Sequence, residues 1–245
     1  MKASAAISTE FIRRIPKTDL HVHLDGSLRL PTLIELAQQQ RVRLPSYTEE
    51  GLRRLVFKDR YANLPEYLKG FAYTCAVMQD VESLERIAFE LAEDNLAEGV
   101  RYLEVRFAPQ LHVHDRLPME NVVRAVVRGL ERAQQRHNRT AAVRQGDDVT
   151  FFFRCDCYAL RFVEPTMWDY YWHSWAVMPS ARTKQVAAAA SLELARSAVR
   201  LVRRRGLPIV RFDLAETGAG YSAEDHQAAF QYAHSHFLRE AVPDG

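Results

Sequence analysis

The chain has 245 residues, of which 47% are hydrophobic and 26% are charged, and this ordinary globular composition excludes a mostly disordered protein. Lys and Arg (33) nearly balance Asp and Glu (31), so no strong field attracts nucleic acid or an anionic membrane, and binding must come from a local site. Three cysteines cannot build a disulfide framework and favour a reducing, cytoplasmic compartment. We expect neither a secretory signal before Pro16 nor a membrane span, because the sequence has no apolar run of about 18 residues.

Four segments have the apolar pattern of β-strands: Thr18–Leu24, Val100–Ala108, Val149–Cys155 and Pro208–Leu214. Apolar residues at helical spacing predict helices in 31–40, 48–57, 63–79, 81–98, 118–137, 183–205 and 223–238. Strands that alternate with helices predict right-handed crossovers and a parallel sheet. Only four strands can be counted, so the chain is either a small open α/β sheet or the front half of an eight-stranded barrel.

The sequence His21-Val22-His23 is the strongest chemical signal. Both imidazoles project from one face of the first predicted strand, so they can share one cation. They lie at the carboxyl end of that strand, where α/β proteins place their sites. Asp25 follows at the same two-residue spacing, so its side chain is expected on the same side as the two histidines, where it can hydrogen-bond a hydroxyl or a histidine. The alternative is a pair of histidines satisfied by neighbouring backbone, and the spacing alone does not decide between the two.

Longer stretches around these residues resemble the adenosine deaminase family. The segment KTDLHVHLDGSLRLPTLIELA (Lys17–Ala37) is similar to the opening of that family, and EGVRYLEVRFAPQLH (Glu98–His112) is similar to its second barrel strand. The segment IVRFDLAETGAGYSAEDHQAAFQYAHSHF (Ile209–Phe237) is similar to its fourth strand and following helix. The resemblance covers most of residues 10–238, with a loose fit over 140–182. It implies a (β/α)8 TIM-barrel metallohydrolase that deaminates a purine nucleoside by hydrolysis, as in the conversion of adenosine to inosine.

The resemblance also implies roles for single residues. His21 and His23 match the zinc ligands of the family, and Asp25 matches a residue that contacts the ribose end of the substrate. The family glycine that approaches the purine ring is replaced here by Glu216, so Gly218 is the position expected to take over that contact. The expected cofactor is one Zn²⁺ ion, which lowers the pKa of a bound water towards ~7.

The HAGE segment that supplies the family's third metal histidine and its acid/base glutamate does not occur in the 245 residues. The resemblance therefore places that glutamate beyond Gly245. It implies one incomplete barrel domain over 1–245, with about four βα units and extra helices in 31–98 between strands one and two. We expect at best vestigial deamination by this chain alone, and an unpaired edge on the fourth strand.

Two other functions stay open. One is a related zinc-barrel hydrolase that acts on another amine or amide, which Glu216 favours. The other is a non-catalytic protein that binds a nucleoside without turning it over. The expected partner is a purine nucleoside, with no nucleic acid and no membrane, and the sequence indicates no oligomeric state.

The remaining polar residues are interpreted as structural. Glu104 and Arg106 share a face of the second strand and are expected to pair in the interior. A second His-x-His pair, His112 and His114, is expected on a loop in a surface or supporting role rather than on a metal. The histidines at 226, 234 and 236 are expected to be solvated or to pack against helices, and the thiols of Cys155 and Cys157 are expected to be buried. The aromatic segment 168–175 is expected to be a packed insertion. In the helix predicted over 63–79, the residues expected to face inward are Tyr67, Leu68, Phe71, Ala72 and Cys75.

Overall fold

The computed structural model describes residues 7–163, 168–178, 182–215, 220–236 and 238–241. Within these residues one sheet contains five parallel strands: Lys17–His23 (β1), Val100–Phe107 (β2), Phe152–Leu160 (β3), Ile209–Ala215 (β4) and Arg239–Ala241 (β5). The α-helices described are Thr9–Arg14 (α1), Leu30–Gln40 (α2), Glu49–Leu55 (α3), Leu64–Ala76 (α4), Val81–Ala97 (α5), Met119–Asn138 (α6), Ala141–Gln145 (α7), Asp169–Val177 (α8), Thr183–Arg205 (α9) and Gln227–Ser235 (α10). Single turns of 3-10 helix cover Pro109–Leu111 and Ala223–His226.

Each strand pairs in parallel with the next strand of the chain, and helices form the crossovers. Side chains of one parity, such as Val105, Cys157 and Phe212, are buried in the hydrophobic core beneath the helices. Side chains of the other parity, such as Arg106 and Asp213, point to the opposite face of the sheet, because successive strand residues alternate in direction. The polar residues that the sequence offers for chemistry therefore gather on the face away from the helical layer.

Helices α5 and α6 pack closely against each other. The apolar positions predicted from helical spacing in both helices are buried: Leu84, Ile87, Ala88, Leu91 and Ala92 in α5, and Val122, Val123, Val126, Val127 and Leu130 in α6. Gly129 allows the close approach, because a Cβ atom added there would lie 2.2 Å from the carbonyl oxygen of Glu85 and 2.9 Å from Cβ of Ala88. A backbone carbonyl cannot rotate away as a side chain can, so any larger residue would separate the two helices.

Replacing Gly129 with alanine is expected to lower the free energy of unfolding by about 1–2 kcal/mol. Overpacking destabilises a folded protein by about 1–3 kcal/mol, and the higher helix propensity of alanine offsets at most about 1 kcal/mol of that loss. Gly70→Ala in α4 is the matched control, because the added Cβ would meet only the ring of Phe57 and the side chain of Val56, at 3.1 Å or more. Urea denaturation of both variants checks the prediction, and a Gly129→Ala variant as stable as Gly70→Ala would contradict it.

The sheet differs from the sequence prediction at its far edge and in β3. The fourth strand was expected to have an unpaired edge, but residues Arg211–Asp213 pair with β5, so that expectation is wrong. The third strand begins at Phe152 and continues to Leu160, several residues beyond the predicted end at Cys155. Its register against β2 pairs Tyr102 with Phe152 and Arg106 with Asp156, so the strand includes Asp156, which lies beyond the predicted end.

The other predicted elements are found within a few residues of their expected bounds, except in the last helix, whose first turn is 3-10. The inward face predicted for α4 is partly wrong. Cys75 is buried, but Ala72 is exposed and Tyr67 keeps 43% of its surface exposed, since Gly70 and Thr74 form the buried face instead. No helix among the described residues is long and apolar enough to cross a lipid bilayer.

Candidate active site

His21 and His23 lie side by side at the carboxyl end of β1. Their ring centroids are 5.5 Å apart and the rings are tilted by 58°. Two imidazoles bound to one zinc ion at ordinary Zn–N distances would have ring centres roughly 5 Å apart, so this pair has the spacing of two ligands of one cation. His23 also has a buried Nδ1 atom with no hydrogen-bond partner among the described residues. The donor chemistry and spacing therefore fit a zinc ion, although no group of three or more metal-binding side chains is found in the part of the chain that is described.

Arg106 of β2 contacts this pair from the interior. Its Nη1 atom lies 2.7 Å from Nε2 of His21 and 3.3 Å from Nδ1 of the same ring. Its Nη2 atom lies 2.6 Å from Oδ2 of Asp213, and both side chains of this ion pair are 3% exposed. Burial, and next the positive charge of Arg106, lower the pKa of His21. The imidazole of His21 is thus kept neutral, which is the form that binds metal.

Asp25 is fully buried beside the pair. Oη of Tyr158 donates a hydrogen bond to its Oδ2 atom at 2.5 Å, and its Oδ1 atom lies 3.4 Å from Nδ1 of His23. Oδ1 has no hydrogen-bond partner among the described residues. Burial, and next the Asp25 carboxylate, raise the pKa of Tyr158, so its hydroxyl keeps its proton for this bond. The tyrosine bonds to one carboxylate oxygen, and the other, which is equally buried, has the nearby His23 ring but no hydrogen-bond partner among the described residues.

Three aromatic rings form a continuous series of ring contacts with His23; we call Tyr67, Phe71 and Tyr158 the aromatic wall. The ring centroids of Tyr67 and Phe71 are 5.5 Å apart, those of Phe71 and His23 are 6.4 Å apart, and those of His23 and Tyr158 are 5.4 Å apart. Sequence reasoning missed this wall because it turned Tyr67 and Phe71 towards the core. The spacing of four residues between two large aromatic side chains on α4 is the signal that could have found them.

Below the histidine pair, a second set of charges fills the interior face. The predicted pair of Glu104 with Arg106 is wrong, because residues two apart on a strand lie farther from each other than from residues of neighbouring strands. Glu104 instead pairs with Arg211 at 2.9 Å, and Arg211 also reaches Asp156 at 3.2 Å. Burial raises the pKa of Asp156 to about 6. This arrangement is a structural network on the same face as the site.

The remaining predicted residues lie apart from the histidine pair or outside the described residues. His112 is fully buried after the 3-10 turn, so a surface position is wrong for it, and burial lowers its pKa to about 4. Cys155 and Cys157 are buried and form no disulfide, as predicted, and burial raises the pKa of both thiols. Glu216 and Gly218 lie outside the described residues. His226 is buried and bonded to the Ser191 hydroxyl at 3.0 Å, which confirms a packing role.

The fold and the position of the site together define a class of protein. In α/β barrel enzymes, consecutive strands pair in parallel and are joined by helical crossovers. Their functional side chains lie at the carboxyl ends of the strands, as the polar residues do here. The family model for adenosine deaminase matches residues 16–144, just over half of the chain. The chain belongs to the adenosine deaminase family.

Comparisons with single proteins agree with this assignment. The chain is 44% identical over 124 residues to an adenosine deaminase of Vibrio atlanticus, an alignment that covers 51% of this chain and 37% of the relative. In fold it is similar to an N6-mAMP deaminase of Arabidopsis, with a TM-score of 0.69 and 23% identity over 96% of this chain and 60% of the other. It is also similar to an amidohydrolase of Burkholderia ambifaria with bound Zn, with a TM-score of 0.66 and 18% identity over 98% and 56% of the two chains. The structural likenesses show that the sheet is part of a TIM-type barrel. The chain spans between 37% and 60% of the length of these three proteins.

Proposed function

We propose that this chain supplies the first part of a zinc-dependent site that deaminates a purine nucleoside by hydrolysis, of the adenosine-to-inosine type. The observation that carries this proposal is the pair of histidines at the end of β1, next to the buried carboxylate of Asp25. Membership of the adenosine deaminase family supports the reaction class. The zinc ion in the similar Burkholderia structure supports the metal.

The proposed roles follow from the contacts of each residue. His21 and His23 would hold the zinc ion, which supplies an acidified water at neutral pH when it is bound. Asp25 would accept a hydrogen bond from a ribose hydroxyl through its Oδ1 atom, which has no hydrogen-bond partner among the described residues, while Tyr158 bonds to the other oxygen. The aromatic wall would pack against the flat purine ring, since stacked or edge-on aromatic contacts favour planar ligands. Gly218 remains the position proposed for contact with the base, in place of the family glycine.

The chain alone is proposed to have at most trace activity. The described residues bring no third metal ligand to the histidine pair. Without a third protein ligand a catalytic zinc site is incomplete, and no carboxylic acid has been assigned to protonate the purine. If the chain binds adenosine and does not convert it, the alternative of a nucleoside-binding protein is favoured, because the Asp25–Tyr158 pair and the aromatic wall are complete without the acid.

The metal site is tested by the zinc affinity of histidine variants. His21→Ala and His23→Ala are each expected to weaken Zn²⁺ binding at least tenfold, because each removes one of two ligands. His114→Ala is the matched control, since His114 belongs to the other His-x-His pair and its Nε2 lies 3.0 Å from the carbonyl oxygen of Gln79. Equal zinc affinity in wild type and His21→Ala would contradict the proposed site. An inosine assay on the metal-loaded chain tests the expected trace rate.

A further inference from the structure

Tyr158 is held in one orientation by its surroundings. The residue is 4% exposed and belongs to an apolar cluster that includes Leu111 and Leu160, near the carboxyl ends of β2 and β3. The guanidinium carbon of Arg106 lies 4.9 Å from the centroid of the tyrosine ring. The phenol hydroxyl therefore has a fixed position, and from that position it bonds to the carboxylate of Asp25.

Asp25 depends on this hydroxyl for the orientation of its carboxylate. The terminal torsion of an aspartate side chain has no sharply preferred angle, so hydrogen bonds decide where the two oxygens point. Among the described residues, the one side-chain hydrogen bond of Asp25 is the bond that Tyr158 donates to Oδ2 at 2.5 Å. An ionised carboxylate can only accept hydrogen bonds, so the phenol is the donor.

The other oxygen, Oδ1, has no such bond. It is buried without a hydrogen-bond partner among the described residues, and Nδ1 of His23, which also lacks one there, lies 3.4 Å away. Without the tyrosine hydroxyl the carboxylate would be free to turn towards this ring. A buried acceptor that is satisfied only by the ligand discriminates strongly against an analogue without the donor. The orientation of Asp25 therefore controls how well the site distinguishes ligands by a hydroxyl.

We propose that Tyr158 is a positioning residue that determines the ribose specificity of the site: it holds Oδ2 of Asp25 and so keeps Oδ1 for a hydroxyl of the nucleoside. The inference rests on the proposed contact between Asp25 and the ribose. A nucleoside that carries the hydroxyl gains a hydrogen bond to a charged oxygen, which raises its affinity about tenfold or more, whereas the corresponding deoxynucleoside gains none.

The test is a calorimetric titration of the full chain with adenosine and with its 2′-, 3′- and 5′-deoxy analogues. Wild type should bind at least one analogue about tenfold more weakly than adenosine, which identifies the hydroxyl. In Tyr158→Phe this difference should fall below about threefold, because the affinity for adenosine drops while the affinity for that analogue is retained. General damage to the site would lower both affinities alike and leave the difference unchanged. A folded Tyr158→Phe variant that discriminates as wild type does would overturn the inference.

Tyr171→Phe is the matched control. Tyr171 is 1% exposed, belongs to the same apolar cluster and donates its hydroxyl to Oε1 of Gln110 at 3.3 Å. Removing this hydroxyl should leave the discrimination within about twofold of the wild-type value, because no bond to Asp25 is lost. An equal loss of discrimination in Tyr158→Phe and Tyr171→Phe would show a general disturbance of the cluster and would refute a specific role for Tyr158.

Further measurements separate the possible failures. If wild type binds adenosine and all three analogues equally, or binds none of them, the proposed ribose contact itself is wrong and the inference fails with it. If far-ultraviolet circular dichroism shows that Tyr158→Phe does not fold, Asp25→Asn and Asp25→Asn/Tyr158→Phe replace it, since asparagine leaves no buried charge without a donor.

These two variants differ only in the tyrosine hydroxyl. In Asp25→Asn the phenol can donate to the amide oxygen, which leaves the amide nitrogen to bond the ribose hydroxyl. The single variant should therefore still discriminate by more than about threefold, and the double variant should not. Equal discrimination by the two would contradict the role of Tyr158.

Discussion

Asp213→Asn is expected to lower the free energy of unfolding by about 3–5 kcal/mol at pH 7, because removing one partner of a buried ion pair leaves the other charge buried without compensation. Asp213 and Arg106 are 2.6 Å apart and each side chain is 3% exposed. Asparagine keeps an oxygen for the amide of Leu214, which bonds to Oδ1 of Asp213 at 2.7 Å. The loss therefore reports the ion pair rather than the local turn of the backbone.

The reciprocal change, Arg106→Gln, is expected to cost less at the same pH. A guanidinium cannot shed its charge, whereas a carboxylate can take up a proton. Burial raises the pKa of Asp213, and the loss of Arg106 removes a charge that lowers it, so the carboxyl can relieve its buried charge by taking up a proton. The cost of Arg106→Gln should fall further as the pH is lowered, because protonation of Asp213 then becomes cheaper.

Denaturant unfolding at several pH values measures both variants. Arg53→Gln is the control, since Arg53 and Glu49 form an exposed pair at 3.8 Å and such pairs contribute at most about 1 kcal/mol. If Asp213→Asn were no more destabilising than Arg53→Gln, the ion pair would have no structural role. A larger loss for Arg106→Gln than for Asp213→Asn at pH 7 would contradict the predicted asymmetry.

Asp156→Asn is expected to stabilise the protein above pH 7, on the order of 2 kcal/mol. Arg211, the partner of Asp156, keeps Glu104 at 2.9 Å when Asp156 loses its charge, whereas Arg106 loses its ion-pair partner when Asp213 is replaced, so the two substitutions have opposite expected signs. Asp156 is 2% exposed, and burial raises its pKa from 3.8 to about 6. The folded state therefore binds a proton more tightly than the unfolded state, so stability falls as the pH rises from about 4 to about 6 and the penalty persists at higher pH. Asparagine carries no charge, so the variant should lack this part of the pH dependence.

Asp148→Asn should behave in the opposite way and serves as the control. The Arg101 side chain, bonded to Asp148 at 2.8 Å, lowers the pKa of that carboxyl. Its contribution to stability is therefore present at neutral pH and is lost as the pH falls through the lowered pKa. Urea unfolding between pH 4 and pH 8 distinguishes the two variants, because Asp148→Asn should be less stable than wild type by a nearly constant amount throughout this range, whereas the gain of Asp156→Asn should grow as the pH rises. A parallel pH dependence for Asp156→Asn and wild type would show that the Asp156 carboxyl is not strained by burial.

The elements that sequence predicted well have a local signal. Helix α9 was placed at Thr183–Arg205 because Gly206 ends it, and Gly206 has the left-handed backbone conformation, with φ of +64°, that commonly follows a helix. The alternation of polar and apolar residues likewise fixed β1 to within one residue at each end. Both signals depend only on residues that are neighbours in the chain.

The features that sequence missed depend on partners distant in the chain. The apolar run 149–155 predicts a strand, but its register is set by pairing with β2, which shifts the strand to Phe152–Leu160. Strand β5 has three residues, too few for any period, and forms by pairing with β4. In the candidate site, spacing placed His21 and His23 on one face, but the contacts of Arg106 with His21 and Asp213 need the strand order to be known.

The order of the strands has a consequence for how the chain acquires its structure. Each strand pairs with the one that precedes it in the sequence, so no βα unit needs a later segment as its template. A ribosome releases the N-terminal units first, and each new unit can dock on a neighbour that has already emerged. Assembly can therefore proceed stepwise during synthesis, because each crossover returns the chain to a strand that is already present.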